Sequence, residues 1–273
     1  MISIAVIGQG LWGNKLTQSL KKNSSNHEVD LLSARDFLVE PRPKLYDVVW
    51  IASRPSEQVS VLELARSTAK LIILEKPICE DLADYTRVEK ILMNDEVSIG
   101  LSRPWCFSTV WLNAREILKS WELSGATVEF QRSGPAAHTY ITPVEDWIPH
   151  DIYLASDLFP TFENEFSVSY FNSNSNEFQL TLDSRNKTTL SFSFIESAFK
   201  ESRVTITSVS GELLVNFYEK FIQLNGKRIE KADPNTYDDI GRNLYSLIHG
   251  DNKKTSQLVR TQKWIKSLIE QTN

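Results

Sequence analysis

The first thirteen residues of the chain constrain its fold more than any other segment. An apolar run from Met1 to Ile7 has the pattern of one strand, and it leads directly into Gly8-Gln-Gly-Leu-Trp-Gly13, after which a helical pattern begins. In such a unit the first glycine permits a tight turn, the second lets phosphates approach the backbone, and the third lets the helix pack on the strand. The alternative is an ordinary glycine turn. The context favours a site for the pyrophosphate of a dinucleotide, lined by Gly8, Gly10, Leu11, Trp12 and Gly13.

The bulk properties narrow the class of protein. A chain of 273 residues is long enough for one large domain or two ordinary ones. Its net charge of −5 argues against nucleic acid or an anionic membrane as the main partner. Cys79 and Cys106 form no redox or metal pattern, and the scattered histidines give no metal set. No apolar run approaches the roughly 20 residues of a membrane span, and a strand at residue 2 leaves no room for a signal peptide. We therefore expect a cytoplasmic protein that binds a small-molecule substrate.

The first part of the chain alternates strand and helix patterns. Such alternation predicts a doubly wound parallel sheet of the α/β class. The near-continuous apolar run at 46–52 suits a parallel strand that is buried on both faces. The predicted strands are 2–7, 28–32, 46–52, 71–74 and 97–101, and the predicted helices are 12–22, 57–69 and 82–93.

The pattern changes after about residue 120. Polar and apolar residues alternate from 166 onward, which predicts antiparallel strands with one wet face, and Asn225-Gly226 predicts a hairpin turn. A helix is expected around 146–158, and helical spacing returns at 240–271. We expect a nucleotide domain at 1–120 and an α+β domain with an open, mainly antiparallel sheet at 121–273. The final helix is able to pack back on the first domain.

The end of the second strand bears on the choice of cofactor. NAD-binding folds usually place an acidic residue there, whereas this strand ends at Ser33 and Arg35. A hydroxyl and a guanidinium suit a 2′-phosphate, which favours NADP(H) over NAD(H). The alternative is that Arg35 is a solvated loop residue, and the neighbouring Asp36 keeps NAD open.

Glu75-Lys76-Pro77 closes the fourth predicted strand. Open α/β sheets bind their ligands at the carboxyl ends of their strands. A lysine at this place can hydrogen-bond a substrate hydroxyl or ketone and exchange its proton. The alternative is a surface salt bridge between Lys76 and Glu75.

A second cluster contains Asp146 and His150, four residues apart and therefore on one face of the predicted helix. Histidine is the side chain best suited to proton exchange near neutral pH. We expect Pro149 in the first turn of this helix, where proline is tolerated. The alternative is a capped helix with a structural histidine.

Together these residues resemble the Gfo/Idh/MocA family, the relatives of glucose–fructose oxidoreductase and inositol dehydrogenase. The resemblance covers most of the chain. It is carried by segments 5–13, 47–55 and 206–214, the Glu75-Lys76-Pro77 and Asp146-x-x-x-His150 motifs, and the C-terminal helix.

The resemblance implies a nicotinamide-dependent oxidoreductase with a Rossmann domain and a second domain whose sheet often forms a homo-oligomer interface. By that analogy Lys76 contacts the reacting carbinol or carbonyl, His150 is the acid/base, and Asp146 orients the substrate or His150. The cofactor-lining residues would be Ala52, Ser53, Arg54, Pro55, Glu75 and Lys76.

The chain also departs from the family pattern. It is shorter between the second and third strands, it lacks a histidine at 55–59, and it has lost glycines around 142–149. Three functions stay open: oxidation or reduction of a hydroxyl or carbonyl carbon, as in a sugar or nucleotide sugar; reduction of an imine or conjugated double bond; and non-catalytic cofactor binding. Further substrate candidates, with packing as the alternative for the first two, are Arg103, Trp105, His138 and Tyr140.

Overall fold

The computed structural model describes residues 1–23, 26–39, 44–94, 97–135, 142–160, 165–173, 177–231, 238–252 and 254–272. The strands are β1 Ile2–Ile7, β2 His27–Leu32, β3 Tyr46–Ile51, β4 Ala69–Leu74, β5 Ser98–Leu101, β6 Thr127–Gly134, β7 Phe166–Ser173, β8 Glu177–Ser184, β9 Thr189–Glu196, β10 Glu201–Ser208, β11 Gly211–Asn216, β12 Phe221–Leu224 and β13 Lys227–Lys231. The helices are α1 Leu11–Asn23, α2 Ala34–Val39, α3 Pro55–Ala65, α4 Leu82–Asn94, α5 Thr109–Leu118, α6 Pro143–Leu158, α7 Asp238–Ile248 and α8 Thr255–Thr272, with a short 3-10 helix at Pro104–Phe107.

The chain divides into two compact units. The first contains Met1–Pro104 together with α7 and α8, and the second begins at Trp105. The boundary lies at Pro104 and not at the expected residue 120, because α5 belongs with the second sheet. Trp111 of α5 is fully buried there, with its ring 6.0 Å from that of Phe217.

The first unit is built on a parallel five-stranded sheet in the order β2-β1-β3-β4-β5. The predicted doubly wound sheet is confirmed. Its central strands are buried on both faces, as their continuous apolar runs require. The strand order reverses between β1 and β3, so the carboxyl ends of these two strands form the switch point where such sheets bind ligands.

Helix α7 completes the core of the first unit. Its residues Ile240, Leu244 and Leu247 are buried in the same apolar cluster as strands β1, β3 and β4 and helix α1. The approach to β5 is close, since a Cβ added at Gly100 would lie 2.5 Å from Cδ2 of Leu247. A glycine at that position therefore lets the helix pack directly on the sheet.

Asp47 ties together the amino ends of three strands of this sheet. Its carboxylate accepts hydrogen bonds from Lys70 Nζ at 2.8 Å and from the backbone N–H and hydroxyl of Ser3, both at 2.9 Å. These donors lower the pKa of Asp47 to about 2, with Lys70 as the largest cause. The charged form is thus favoured in the folded state.

We expect the stability that Asp47 contributes to disappear in acid. Its pKa is lower in the folded chain than in the unfolded one, so the contribution is complete above the unfolded pKa of about 4 and is lost as the pH falls towards 2. Because the side chain is 34% exposed, solvent screening limits the effect, and Asp47→Asn should lower the free energy of unfolding by about 1 kcal/mol at pH 7. Urea unfolding at several pH values measures this, with Lys70→Met as a second variant. A difference from wild type that stays constant down to pH 2 would contradict the assignment.

The second unit is an eight-stranded sheet in the order β13-β12-β11-β10-β6-β9-β8-β7. The pair β6–β9 is parallel and the other pairs are antiparallel, so the predicted, mainly antiparallel sheet is confirmed. Helices α5 and α6 pack on it. The predicted hairpin is also present, because Asn225 and Gly226 both have positive φ between β12 and β13.

Buried and half-buried residues alternate along strand β6. Val128, Phe130 and Arg132 are buried on one face, whereas Glu129 and Gln131 are half-buried on the other. An arginine at a core position of this strand needs a buried partner.

Of the helices in the described part of the chain, none is both long enough and apolar enough to cross a bilayer.

Candidate active site

Gly8 and Gly13 are required by the packing of the first unit itself. Gly8 has a φ of +129°, and a Cβ at this position would lie 2.4 Å from the carbonyl oxygen of Ala52. A Cβ at Gly13 would lie 1.8 Å from the carbonyl oxygen of Gly8. No side chain fits at either position, so these glycines bring β1, β3 and α1 into contact.

Gly10 differs from the other two glycines because no protein atom lies within 4 Å of where its Cβ would be. The loop around it is held by Asn14, whose Nδ2 donates to the carbonyls of Gln9 at 2.8 Å and Gly10 at 2.9 Å. Leu11 and Trp12 begin α1 and are exposed beside it. The absence of a side chain at Gly10 thus leaves space for a ligand against the backbone, as a pyrophosphate requires.

The residues that follow β3 form the other side of this switch point. Arg54 is the N-cap of α3, Pro55 is the first helical residue, and Glu57 accepts a hydrogen bond from the backbone N–H of Arg54 at 3.4 Å. The buried hydroxyl oxygen of Ser53 has no hydrogen-bond partner among the described residues. A buried hydroxyl of this kind at the carboxyl edge is consistent with a polar ligand.

Ser33 caps α2, a short helix that the sequence patterns did not predict. Its Oγ accepts the backbone N–H of Asp36 at 3.0 Å, which leaves the hydroxyl hydrogen as a donor. Arg35 lies in the first turn of this helix and is exposed. Ser33 therefore has a structural role, and Arg35 remains available to a ligand at the end of β2.

Lys76 is partly buried between two residues that are anchored by buried hydrogen bonds. The carboxylate of Glu75 accepts from Trp50 Nε1 at 3.0 Å, and Gln58 Nε2 donates to the carbonyl of Pro77 at 2.9 Å. Glu75 is only 5% exposed, so it is a buried group and not half of a surface salt bridge. The Lys76–Pro77 peptide bond is cis.

Helix α6 carries Asp146 and His150, and both side chains are buried, as one shared face predicts. The helix begins earlier than expected, because Thr142 and Glu145 form a capping box: Thr142 Oγ1 accepts the N–H of Glu145 at 3.3 Å, and Glu145 accepts the N–H of Thr142 at 2.9 Å. Pro149 therefore lies inside the helix, and its expected position in the first turn is wrong.

An aromatic cluster surrounds His150 within the second unit. The ring of Trp105 is stacked on the imidazole, with centroids 5.1 Å apart and planes inclined by 22°. Trp147 lies 6.4 Å from the same imidazole. Phe217 packs on Trp105 with centroids 5.0 Å apart. The imidazole thus packs against aromatic rings, with Trp105 stacked on it.

Arg132 and Asp151 lie beneath this cluster, and sequence reasoning missed both. They form an ion pair in which each side chain is 1% exposed. Burial raises the pKa of the Asp151 carboxyl, and the guanidinium of Arg132 opposes that shift. The sequence signal for this pair is a charged residue on the same face of β6 as the apolar residues Val128 and Phe130.

Solved structures of dehydrogenases match the chain over almost its whole length. A dehydrogenase from Clostridium difficile has a TM-score of 0.78 at 12% identity, covering 100% of this chain and 99% of that one. The chain has the fold of this dehydrogenase. An apo scyllo-inositol dehydrogenase from Lactobacillus casei gives 0.75 at 13%, covering 97% and 94%. A UDP-N-acetylglucosamine 3-dehydrogenase from Acidithiobacillus ferrooxidans gives 0.75 at 13%, covering 98% and 96%.

Sequence comparisons add nothing to this likeness, since no protein-family model and no curated protein sequence matches the chain. The motifs on which the resemblance in sequence rests nevertheless lie in the expected elements. The glycine motif follows β1, Lys76 follows β4, and His150 lies on α6.

The remaining substrate candidates lie in different surroundings. Arg103 is 4% exposed, and its Nη2 donates to the carboxylate of Asp251 at 2.9 Å and to the Asp251 carbonyl at 3.3 Å. These bonds favour a packing role. Trp105 stacks on the ring of His150, so it stays a candidate for contact with a substrate. His138 and Tyr140 lie outside the described residues.

Proposed function

We propose that this chain is a nicotinamide-dependent oxidoreductase acting on a hydroxyl or carbonyl carbon of a small polar substrate. The fold supports an oxidoreductase of the dehydrogenase type. The single observation that carries the cofactor assignment is the glycine loop. Gly8 and Gly13 are needed by the protein, whereas Gly10 leaves open space against the backbone, where a pyrophosphate would fit.

The residues present fit the cofactor. The loop between β1 and α1 would hold its pyrophosphate, Arg35 its adenosine end, and the residues after β3 and β4 its nicotinamide half. When bound, the nicotinamide supplies or accepts the hydride. Lys76 would donate a hydrogen bond to the substrate oxygen, His150 would exchange its proton, and Asp146 would orient the imidazole or the substrate.

The substrate class follows from the chemistry of the neighbours and of the proposed groups. Two of the structures with this fold are named for an inositol and for a nucleotide sugar. A lysine and a histidine that handle one hydroxyl proton suit a polyhydroxylated substrate. On this ground we propose a sugar or nucleotide sugar as the substrate. We also propose the cytoplasm as the location, because the free thiols of Cys79 and Cys106 suit a reducing compartment.

The half-buried face of the second sheet supports a homo-oligomer. On this face Tyr170 of β7 is 49% exposed and Ile195 of β9 is 53% exposed. Apolar side chains on an extended sheet are typical of a contact surface between copies. We propose that the chain associates through this sheet.

We expect NADPH to bind more tightly than NADH and Arg35→Gln to abolish the difference. Losing a charge-assisted hydrogen bond to the 2′-phosphate should weaken NADPH binding by about tenfold or more and leave NADH binding unchanged. Fluorescence titration of both reduced cofactors measures this. Lys21→Gln, in the last turn of α1, is the matched control. NADH binding at least tenfold tighter than NADPH binding in the wild type would overturn the preference.

A turnover panel separates the three functions that the sequence leaves open. Oxidation of the bound cofactor by sugars or other carbonyl compounds supports the proposal. Activity confined to imines or conjugated double bonds selects the reductase alternative. Tight cofactor binding without turnover on any class selects a non-catalytic binding protein.

A further inference from the structure

We propose that Arg132 is a positioning residue that holds the imidazole of His150 through Trp105 and Asp151. The inference rests on the proposed role of His150 as the group that exchanges the substrate proton. Arg132 lies on β6, His150 and Asp151 on α6, and Trp105 in the 3-10 helix, so one guanidinium links three elements of the second unit.

The first link is the ion pair with Asp151. Arg132 Nε donates to Oδ1 of Asp151 at 2.9 Å, and Nη2 donates to the same oxygen. Separating two opposite charges that are both buried is strongly unfavourable, so the pair fixes Asp151 relative to β6. Asp151 directly follows His150 in α6. Fixing its side chain therefore also fixes the rotation of the helix at His150.

The second link is Trp105. The guanidinium carbon of Arg132 lies 4.1 Å from the centre of the indole ring, within the range of a cation–π contact. Arg132 Nη1 is buried and finds no hydrogen-bond acceptor among the described residues, which leaves the aromatic faces as its stabilising contact. The same indole stacks on His150 at 5.1 Å. A displaced guanidinium would therefore release the ring that supports the imidazole.

Helix α6 needs such anchors where His150 lies. Pro149 has no backbone N–H, so the hydrogen bond that would otherwise reach the carbonyl of Glu145 is missing from the turn that precedes His150. The backbone alone specifies the direction of the imidazole less firmly there than in an uninterrupted helix. The buried pair on the next residue supplies the lost constraint.

The charges around His150 make the arrangement testable. In the described part of the second unit, the buried charged side chains are Arg132, Asp146 and Asp151; the last two lie on the helix of His150, and Arg132 reaches its ring through Trp105. Arg132 and Asp151 form an ion pair with no net charge, so together they have little effect on the charge state of the imidazole. Removing only the carboxylate leaves a buried guanidinium against the ring that contacts the imidazole.

Nuclear magnetic resonance titration of the histidines tests the proposal without any substrate, with the His150 signal assigned through its loss in His150→Gln. We expect Asp151→Asn to lower the measured pKa of His150 by about one unit or more, because an uncompensated positive charge disfavours the imidazolium. We expect Arg132→Lys to lower kcat by about tenfold with KM within about twofold, because an ammonium does not stack on an indole as a guanidinium does.

Arg203→Lys, on the neighbouring strand β10, is the matched control and should change neither value. Unchanged His150 titration in folded Asp151→Asn, together with unchanged kcat in Arg132→Lys, would overturn the proposal. If those variants do not fold, Trp105→Leu decides, since Trp105 is only partly buried: a shifted titration with reduced kcat supports the link, and wild-type values refute it. Full turnover in His150→Gln would refute the proposed role of His150, while the titration still decides whether Arg132 holds the imidazole.

Discussion

Lys76→Ala should lower turnover by about 10²–10⁴-fold, the usual contribution of a positioned acid/base group. The loop around the substitution should keep its shape, because its anchors are on the neighbours: Glu75 on Trp50, and the Pro77 carbonyl on Gln58. The loss should therefore appear as chemistry and not as unfolding. Cofactor oxidation with the best substrate of the panel measures turnover, and thermal unfolding checks the fold.

Two further variants sharpen this experiment. Lys76→Arg keeps the positive charge but remains protonated at any working pH, so it should not restore turnover if Lys76 exchanges a proton. Lys70→Ala, at the exposed amino end of the same strand, should retain wild-type turnover. Near-normal turnover in Lys76→Ala would remove Lys76 from the chemistry and favour the imine or double-bond reductase.

Gly10→Ala should weaken cofactor binding by about 10–100-fold without changing the thermal stability of the protein. The added Cβ meets no protein atom within 4 Å, so the fold has no reason to respond. It occupies the space that we assign to the pyrophosphate, and the overlap costs about 1–3 kcal/mol. Fluorescence titration with NADPH and a melting curve give the two values from one preparation.

Gly13→Ala is the matched comparison, with the opposite expected effect on stability. Its Cβ would lie 1.8 Å from the carbonyl oxygen of Gly8, so the backbone must move and the melting temperature should fall by several degrees. Loss of stability in Gly10→Ala, or unchanged cofactor binding in it, would contradict a ligand-bearing role for this loop. The pair thus separates a glycine that the ligand needs from one that the protein needs.

The fold could be predicted from the sequence where the signal is local. Buried parallel strands are continuous apolar runs, and half-buried antiparallel strands alternate, so both sheets could be recognised from their period. The placement of α5 could not, because an amphipathic helix shows that one face is buried but not against which sheet. The start of α6 is encoded in the capping box of Thr142 and Glu145, whereas a prediction based on the spacing of Asp146 and His150 places the start too late.

The candidate site divides in the same way. The glycine loop lies within one short segment, so its geometry is encoded in adjacent residues. The pair of Arg132 and Asp151 joins a strand to a helix, and only the folded chain brings the two together. Ser33 shows a third case: the hydroxyl that suggested a phosphate ligand also caps α2, which is a local role that composition alone does not reveal.

The placement of α7 and α8 has a consequence for synthesis on the ribosome. The sheet of the first unit is encoded by residues 2–101, but Leu244 and Leu247 of its core are synthesised only after residues 105–236 of the second unit. Residues 105–236, which make up almost all of the second unit, are complete earlier. The first unit therefore has the higher contact order, and part of its apolar surface stays exposed until α7 has been synthesised, which favours aggregation of the incomplete chain.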